Sequence, residues 1–107
     1  MQIFDKPWGI EEILEVNDKY CVKRLFMKKG CRCSLQRHIY KHETLIVISG
    51  LLRVTGDVDV VMKPGDCLVL DVGVIHRMSA IKDTIYIEAS TPELDDVIRI
   101  EDDYGRV

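Results

Sequence analysis

The sequence predicts an all-β protein, one antiparallel sandwich or jelly-roll barrel built from eight or nine short strands. Short runs rich in Val, Ile, Leu, Tyr and Phe recur at roughly even spacing along the chain. Glycine, proline and asparagine separate them, the residues that supply the dihedral angles tight turns need. Runs such as Leu45-Ile46-Val47-Ile48 are apolar on both faces, as strands covered on two sides are.

The elements follow in order. Phe4 to Val16 reads as an arm plus a first short strand, because Pro7 and Gly9 break any helix there. Asn17-Asp18 is a turn, and Tyr20 to Lys28 a strand ended by Lys29-Gly30. Ser34 to His38 and Thr44 to Ser49 are the next strands, after which Gly50 turns the chain back. Leu51 to Thr55 and Val58 to Met62 flank Gly56-Asp57, a hairpin signal. In Lys63-Pro64-Gly65-Asp66, proline presets one dihedral and glycine accepts positive φ, so a turn is expected. Cys67 to Leu70, His76 to Ser79 and Thr84 to Ala89 complete the series, and Glu93 to Ile98 reads as either a helical turn or a final strand. The expected organisation is a single domain over 1–107, with an arm and first strand (1–16), a barrel (20–90) and a C-terminal segment (91–107).

A chain of 107 residues is near the lower size at which one core buries enough apolar surface to stand alone, so a homodimer is expected. The composition, 47% hydrophobic and 31% charged, is that of a globular chain. A net charge of −3 argues against nucleic acid as a partner, because phosphate neutralisation needs a clustered basic surface. Apolar runs are only a few residues long and no leader pattern follows Met1, so neither a membrane span nor a signal peptide is expected, and the location expected is cytoplasmic. In that setting Cys21, Cys31, Cys33 and Cys67 read as reduced thiols.

The residues with chemistry lie in two stretches. Side chains repeat every second residue in a strand, so Gln36 and His38 share a face. Glu43 follows four intervening residues later, and Gly50 after six more. Downstream the chain reads Gly65, five residues, Asp71-Val72-Gly73, two residues, His76. A carbonyl oxygen, two imidazoles and a carboxylate could thus converge on a divalent cation, and such N and O ligands suit Zn²⁺, Fe²⁺, Mn²⁺ or Ni²⁺ alike.

These stretches resemble the two motifs of the cupin superfamily, with Gln36 standing where the first histidine usually is. Glutamine in that slot is similar to the mannose-6-phosphate isomerases, whose zinc is held by glutamine, histidine, glutamate and histidine. Lys6-Pro7-Trp8-Gly9, Val22-Lys23-Arg24, Gly73-Val74-Ile75-His76-Arg77 and Glu101-Asp102-Asp103-Tyr104-Gly105-Arg106 extend the likeness to the C-terminal cupin domain of the type II enzymes over nearly the whole chain. The pattern departs at Arg37-His38-Ile39-Tyr40-Lys41 and Thr44-Leu45, where that family carries further histidines, an arginine and a tryptophan; Asp71 replaces the motif proline, and Ala80 stands where cupins often carry asparagine. The nucleotidyltransferase domain that commonly precedes this one in type II enzymes is not within these 107 residues, so guanylyl transfer is not expected of them.

The resemblance implies Gln36, His38, Glu43 and His76 as ligands, zinc as the metal, and a sugar phosphate as substrate, interconverted between aldose and ketose through an enediolate. Lys23 and Lys41 are the candidate bases, since a lysine beside a cation can have its pKa lowered. Arg24, Arg37, Lys41, Arg77 and above all Arg106 are candidates for the phosphate, for which a planar guanidinium offers paired hydrogen bonds. Two alternatives stay open: a non-catalytic metal-containing cupin that binds a sugar or other small ligand, and a metal-dependent oxygenase.

Overall fold

The computed structural model describes residues 1–107 and contains eleven strands and no helix. They are β1 (Gln2–Lys6), β2 (Gly9–Val16), β3 (Cys21–Met27), β4 (Leu35–Arg37), β5 (Glu43–Ser49), β6 (Leu52–Gly56), β7 (Val60–Met62), β8 (Cys67–Leu70), β9 (His76–Ala80), β10 (Thr84–Ser90) and β11 (Ile98–Glu101). One sheet has the order β1-β2-β3-β10-β5-β8 and the other β11-β4-β9-β6-β7, with antiparallel pairing throughout, so the molecule is the expected antiparallel sandwich. No helix is present that could cross a membrane.

Two strands exceed the expected number. Residues 1–16 form a hairpin in which Lys6 pairs with Gly9 across Pro7-Trp8, where one strand and an arm were expected. The reason lies at Gly9. Its backbone is packed so closely on β3 that a Cβ there would stand 1.9 Å from the Phe26 carbonyl oxygen, and this approach lets β2 pair along β3 while β1 folds back over it. At the other end Glu93 to Ile98 forms neither a helix nor a strand over most of its length: Leu94-Asp95 is a turn, and a strand, β11, begins only at Ile98, because β4 presents an unpaired edge on which Ile98, Arg99 and Glu101 find partners.

Alternation along the central strands gives the barrel two unlike ends. On β3, Cys21, Lys23, Leu25 and Met27 point inward, and on β10 Thr84, Tyr86, Glu88 and Ser90 do so while Ile85 and Ile87 face out. At one end Met27, Val47, Leu52, Val54, Met62 and Ala80 form an apolar core. Each side chain of that size stabilises the fold by about 2 kcal/mol when buried, so Leu52→Ala would cost about 2–5 kcal/mol. At the other end the inward positions are Lys23, Glu43, Glu88 and His76, and a cavity of about 610 Å³ takes the place of the core.

Candidate metal centre

Two strand starts and one strand end deliver the candidate ligands. Glu43 opens β5, His76 opens β9, and His38 follows the end of β4. Gln36 on β4 stands directly opposite His76 on β9, which places both on one face of the sheet. The ligand atoms of His38, Glu43 and His76 lie within 4.8 Å of one another, and all three residues are buried.

The hydrogen bonding around the rings decides what these atoms offer. His38 Nδ1 donates to the carbonyl oxygen of Asp96, and His76 Nδ1 donates to that of Val74 at 2.9 Å. A carbonyl only accepts, so each Nδ1 carries a proton and each neutral ring presents an acceptor at Nε2. Glu43 Oε1 lies 3.2 Å from His38 Nε2 and 3.1 Å from His76 Nε2, yet none of the three atoms has a hydrogen-bond partner. With both rings neutral, three buried acceptors face one another, and either a proton on an imidazole Nε2 or a metal cation between them completes the cluster; backbone carbonyls behind the rings are the support that histidine ligands receive at metal sites. Gln36 Oε1 accepts from Ser34 Oγ at 2.8 Å and keeps a second lone pair. The donor set therefore fits a divalent ion of the zinc, manganese or iron type.

Electrostatics reinforce the grouping. Burial raises the pKa of Glu43, but the two imidazoles and Lys41, whose Nζ is 3.7 Å from Oε2, outweigh it and hold the carboxyl well below the usual range. Burial likewise lowers that of His76, and Glu43 more than restores it. The His38 loop is fixed by one residue the sequence did not single out: the Asp96 carboxylate accepts from the backbone N–H groups of Ile39, Tyr40 and Lys41 at 3.0, 2.7 and 2.9 Å.

The remaining expected residues divide. Lys23 and Lys41 line the cavity. Lys23 does not have the lowered pKa expected of a base: burial pulls it down, but Glu88 and Glu11 together raise it and keep the ammonium charged. Arg106 reaches the cavity, though its guanidinium is engaged by both oxygens of Asp102 at 2.8 and 2.9 Å. Arg24 lies on the outer face of β3 and is paired with Glu12 at 2.9 and 3.0 Å, since strand alternation turns it opposite to Lys23. Arg77 also points away from the cavity; it is buried, donates to the Cys33 carbonyl at 2.8 Å, and pairs with Glu101 and Asp103, so it fastens the C-terminal segment. Cys33 is a buried thiol pushed up to about 12 by desolvation, which leaves no thiolate there.

Glu88 was not among the expected residues. It is buried in the cavity wall directly opposite Lys23, and desolvation and Glu43 push its carboxyl up to about 7 against Lys41 and Lys23. A signal was present in the sequence: in Thr84-Ile85-Tyr86-Ile87-Glu88 the polar-capable positions alternate with isoleucines, and a strand whose inward face is the polar one lines a cavity.

Residues 1–102 match the family model described as mannose-6-phosphate isomerase C-terminal. The xanthan biosynthesis protein XanB of Xanthomonas campestris is 33% identical over 94% of this chain, and the mannose-1-phosphate guanylyltransferase of Escherichia coli 32% over 95%. This chain spans 23% of the length of each. An RmlC-like cupin from Shewanella frigidimarina has the same fold, with a TM-score of 0.80 at 22% identity over 88% of this chain and 86% of that one. By its matched residues and its two-sheet architecture, this chain belongs to the mannose-6-phosphate isomerase C-terminal family of cupins.

Proposed function

We propose that the protein is a metal-dependent sugar-phosphate isomerase, interconverting an aldose and a ketose of the mannose 6-phosphate type. The observation that carries the reading is the set of three buried, unpartnered acceptors on His38, Glu43 and His76, of which His38 and Glu43 line a cavity that also holds Glu88, a carboxyl with a pKa of about 7. Zinc, held by these three and Gln36, is the preferred metal through the family's ligand set; when bound it supplies positive charge to stabilise oxyanions at C1 and C2.

Proton transfer falls to the chain's own side chains. Glu88 as carboxylate takes the proton from C2 of the aldose, leaving a cis-enediolate. The resulting carboxylic acid returns that proton to C1 while the C2 hydroxyl proton passes to the C1 oxygen, so that the C2 oxygen becomes the carbonyl and C1 carries the hydroxyl. A carboxyl poised near neutrality suits both directions. Lys23 and Lys41, tied to Glu11 and Glu43, serve as fixed ammonium charges beside the developing oxyanion. Pairing of two copies belongs to the same reading, supported by Ile3, Phe4, Ile10 and Leu14 exposed on the hairpin at a free sheet edge. A monomer in sedimentation equilibrium at every micromolar concentration would remove it.

Elemental analysis with a coupled assay on mannose 6-phosphate, before and after chelation and zinc restoration, tests the reading. Stoichiometric metal with restorable turnover is the expected result. Metal without turnover on any sugar phosphate would leave the non-catalytic cupin in its place.

A further inference from the structure

The register of the smaller sheet sets three side chains in one row. Arg99 on β11 stands opposite Gln36 on β4, and Gln36 opposite His76 on β9. Cross-strand partners share a face, and Arg99 and Gln36 both line the cavity. The row therefore runs from the metal cluster to the edge of the sheet.

Charge pairing sets Arg99 apart from the other cations of the cavity. Lys23 and Lys6 share Glu11 at 3.2 and 3.8 Å, Lys41 is 3.7 Å from Glu43, and Arg106 is clasped by Asp102 at 2.8 Å. Arg99 has no carboxylate partner, and its Nε is buried without a hydrogen bond. A buried guanidinium donor left unmatched is costly unless a ligand anion completes it.

We propose that Arg99 binds the terminal phosphate of a phosphorylated sugar whose carbonyl end lies at His38, Glu43 and His76. Two interstrand spacings separate Arg99 from His76, about 10 Å. A six-carbon chain with bonds of about 1.5 Å and a phosphate at its far end covers that length. Arg99 thus selects for the distance between the reacting carbons and the phosphate as well as for charge. The sugar in this assignment rests on the isomerase reading; the anion site does not.

The test uses the full metal-loaded chain and its Arg99→Gln, Arg99→Lys and Arg106→Gln variants, with mannose 6-phosphate, free mannose and inorganic phosphate as probes in titration calorimetry. Arg99→Gln is expected to weaken mannose 6-phosphate and inorganic phosphate by about ten- to hundred-fold, leaving free mannose and metal content unchanged. Arg99→Lys should recover part of the loss, as a charge without the planar fork. Arg106→Gln should change phosphate binding less than about threefold, because its guanidinium is already engaged. Wild-type phosphate affinity in Arg99→Gln, or an equal loss for free mannose, would overturn the assignment, as would a loss confined to Arg106→Gln. Phosphate binding that depends on Arg99 in a protein without isomerase turnover would uphold the subsite and remove the isomerase reading.

Discussion

Glu43 Oε1 stands 3.1 Å from His76 Nε2, and neither atom has a hydrogen-bond partner. The two residues open strands of different sheets, so this approach exists only because the sheets close over one another at the polar end of the barrel. If a divalent ion occupies the gap, Glu43→Ala and His76→Ala each lose most bound metal in elemental analysis. Chelation should lower the melting temperature of the wild type and barely move that of either variant, because a ligand at a hundred times its Kd stabilises by about 2.7 kcal/mol. Full occupancy retained in both variants would refute the ligand assignment.

The Asp96 backbone carbonyl accepts from His38 Nδ1, a contact kept in any variant of its side chain, whereas its carboxylate touches no ligand and holds the loop that carries His38. Asp96→Ala leaves three backbone N–H groups without their acceptor. Metal affinity is expected to fall about ten- to hundred-fold, the usual effect of losing a group behind a ligand. A competition titration against a chelator of known affinity reads this, and an unchanged constant would show that the loop holds itself.

Glu88 gives a stability signature distinct from its catalytic role. Its pKa in the fold, about 7, lies above the ordinary 4.5, so proton binding favours the folded chain. That contribution is complete below about pH 4.5 and is lost as the pH rises through about 7. In chelated protein, Glu88→Gln should match the wild type near pH 4 and exceed it at pH 8 by an amount on the order of 3 kcal/mol at most. The groups facing Glu88 are Glu43, Lys41, Lys23 and Glu11, and all remain in the variant. Isomerase turnover should fall at least a hundredfold; retention of turnover would remove Glu88 as the base.

Gly50 turns β5 into β6 with a φ of 93°, and a Cβ there would meet the Asp83 carbonyl oxygen at 2.3 Å. Gly50→Ala combines a strained backbone with a backbone clash, and the expected loss of stability is on the order of 3 kcal/mol. Urea unfolding measures it directly. A loss below about 0.5 kcal/mol would mean that the turn relaxes freely, against the range expected for strain of this kind.

The C-terminal segment should loosen only in strong acid. Paired with Arg106, Asp102 is depressed from the ordinary 3.8 to about 2, so the stability it adds is present above pH 3.8 and lost as the pH falls through about 2. The Arg106 Nε–H resonance, followed by NMR from pH 5 downward, should move with a midpoint well below 3.8. A midpoint at the ordinary value would show that the pair does not hold in solution.

By itself the sequence determined most of the strand series and the turns at Gly50 and Gly65, because period-two alternation and turn chemistry are local properties, while Gln36, His38, Glu43 and His76 are marked as ligands only through the motif resemblance. It also carried the parity that puts Lys23 and Arg24 on opposite faces of one strand, but not which face looks into the cavity. Only the tertiary structure decided that. Arg77 has outward parity and is nevertheless buried, because the C-terminal segment crosses over it. Lys23 keeps its charge because Glu88, far along the chain, lies directly opposite on the next strand. Arg99 and His76 belong to one row because two register alignments happen to coincide at Gln36. Register between strands distant in sequence is set by the closure of the whole barrel, so the pKa values and the shape of the site, which depend on such neighbours, come into being only with the fold.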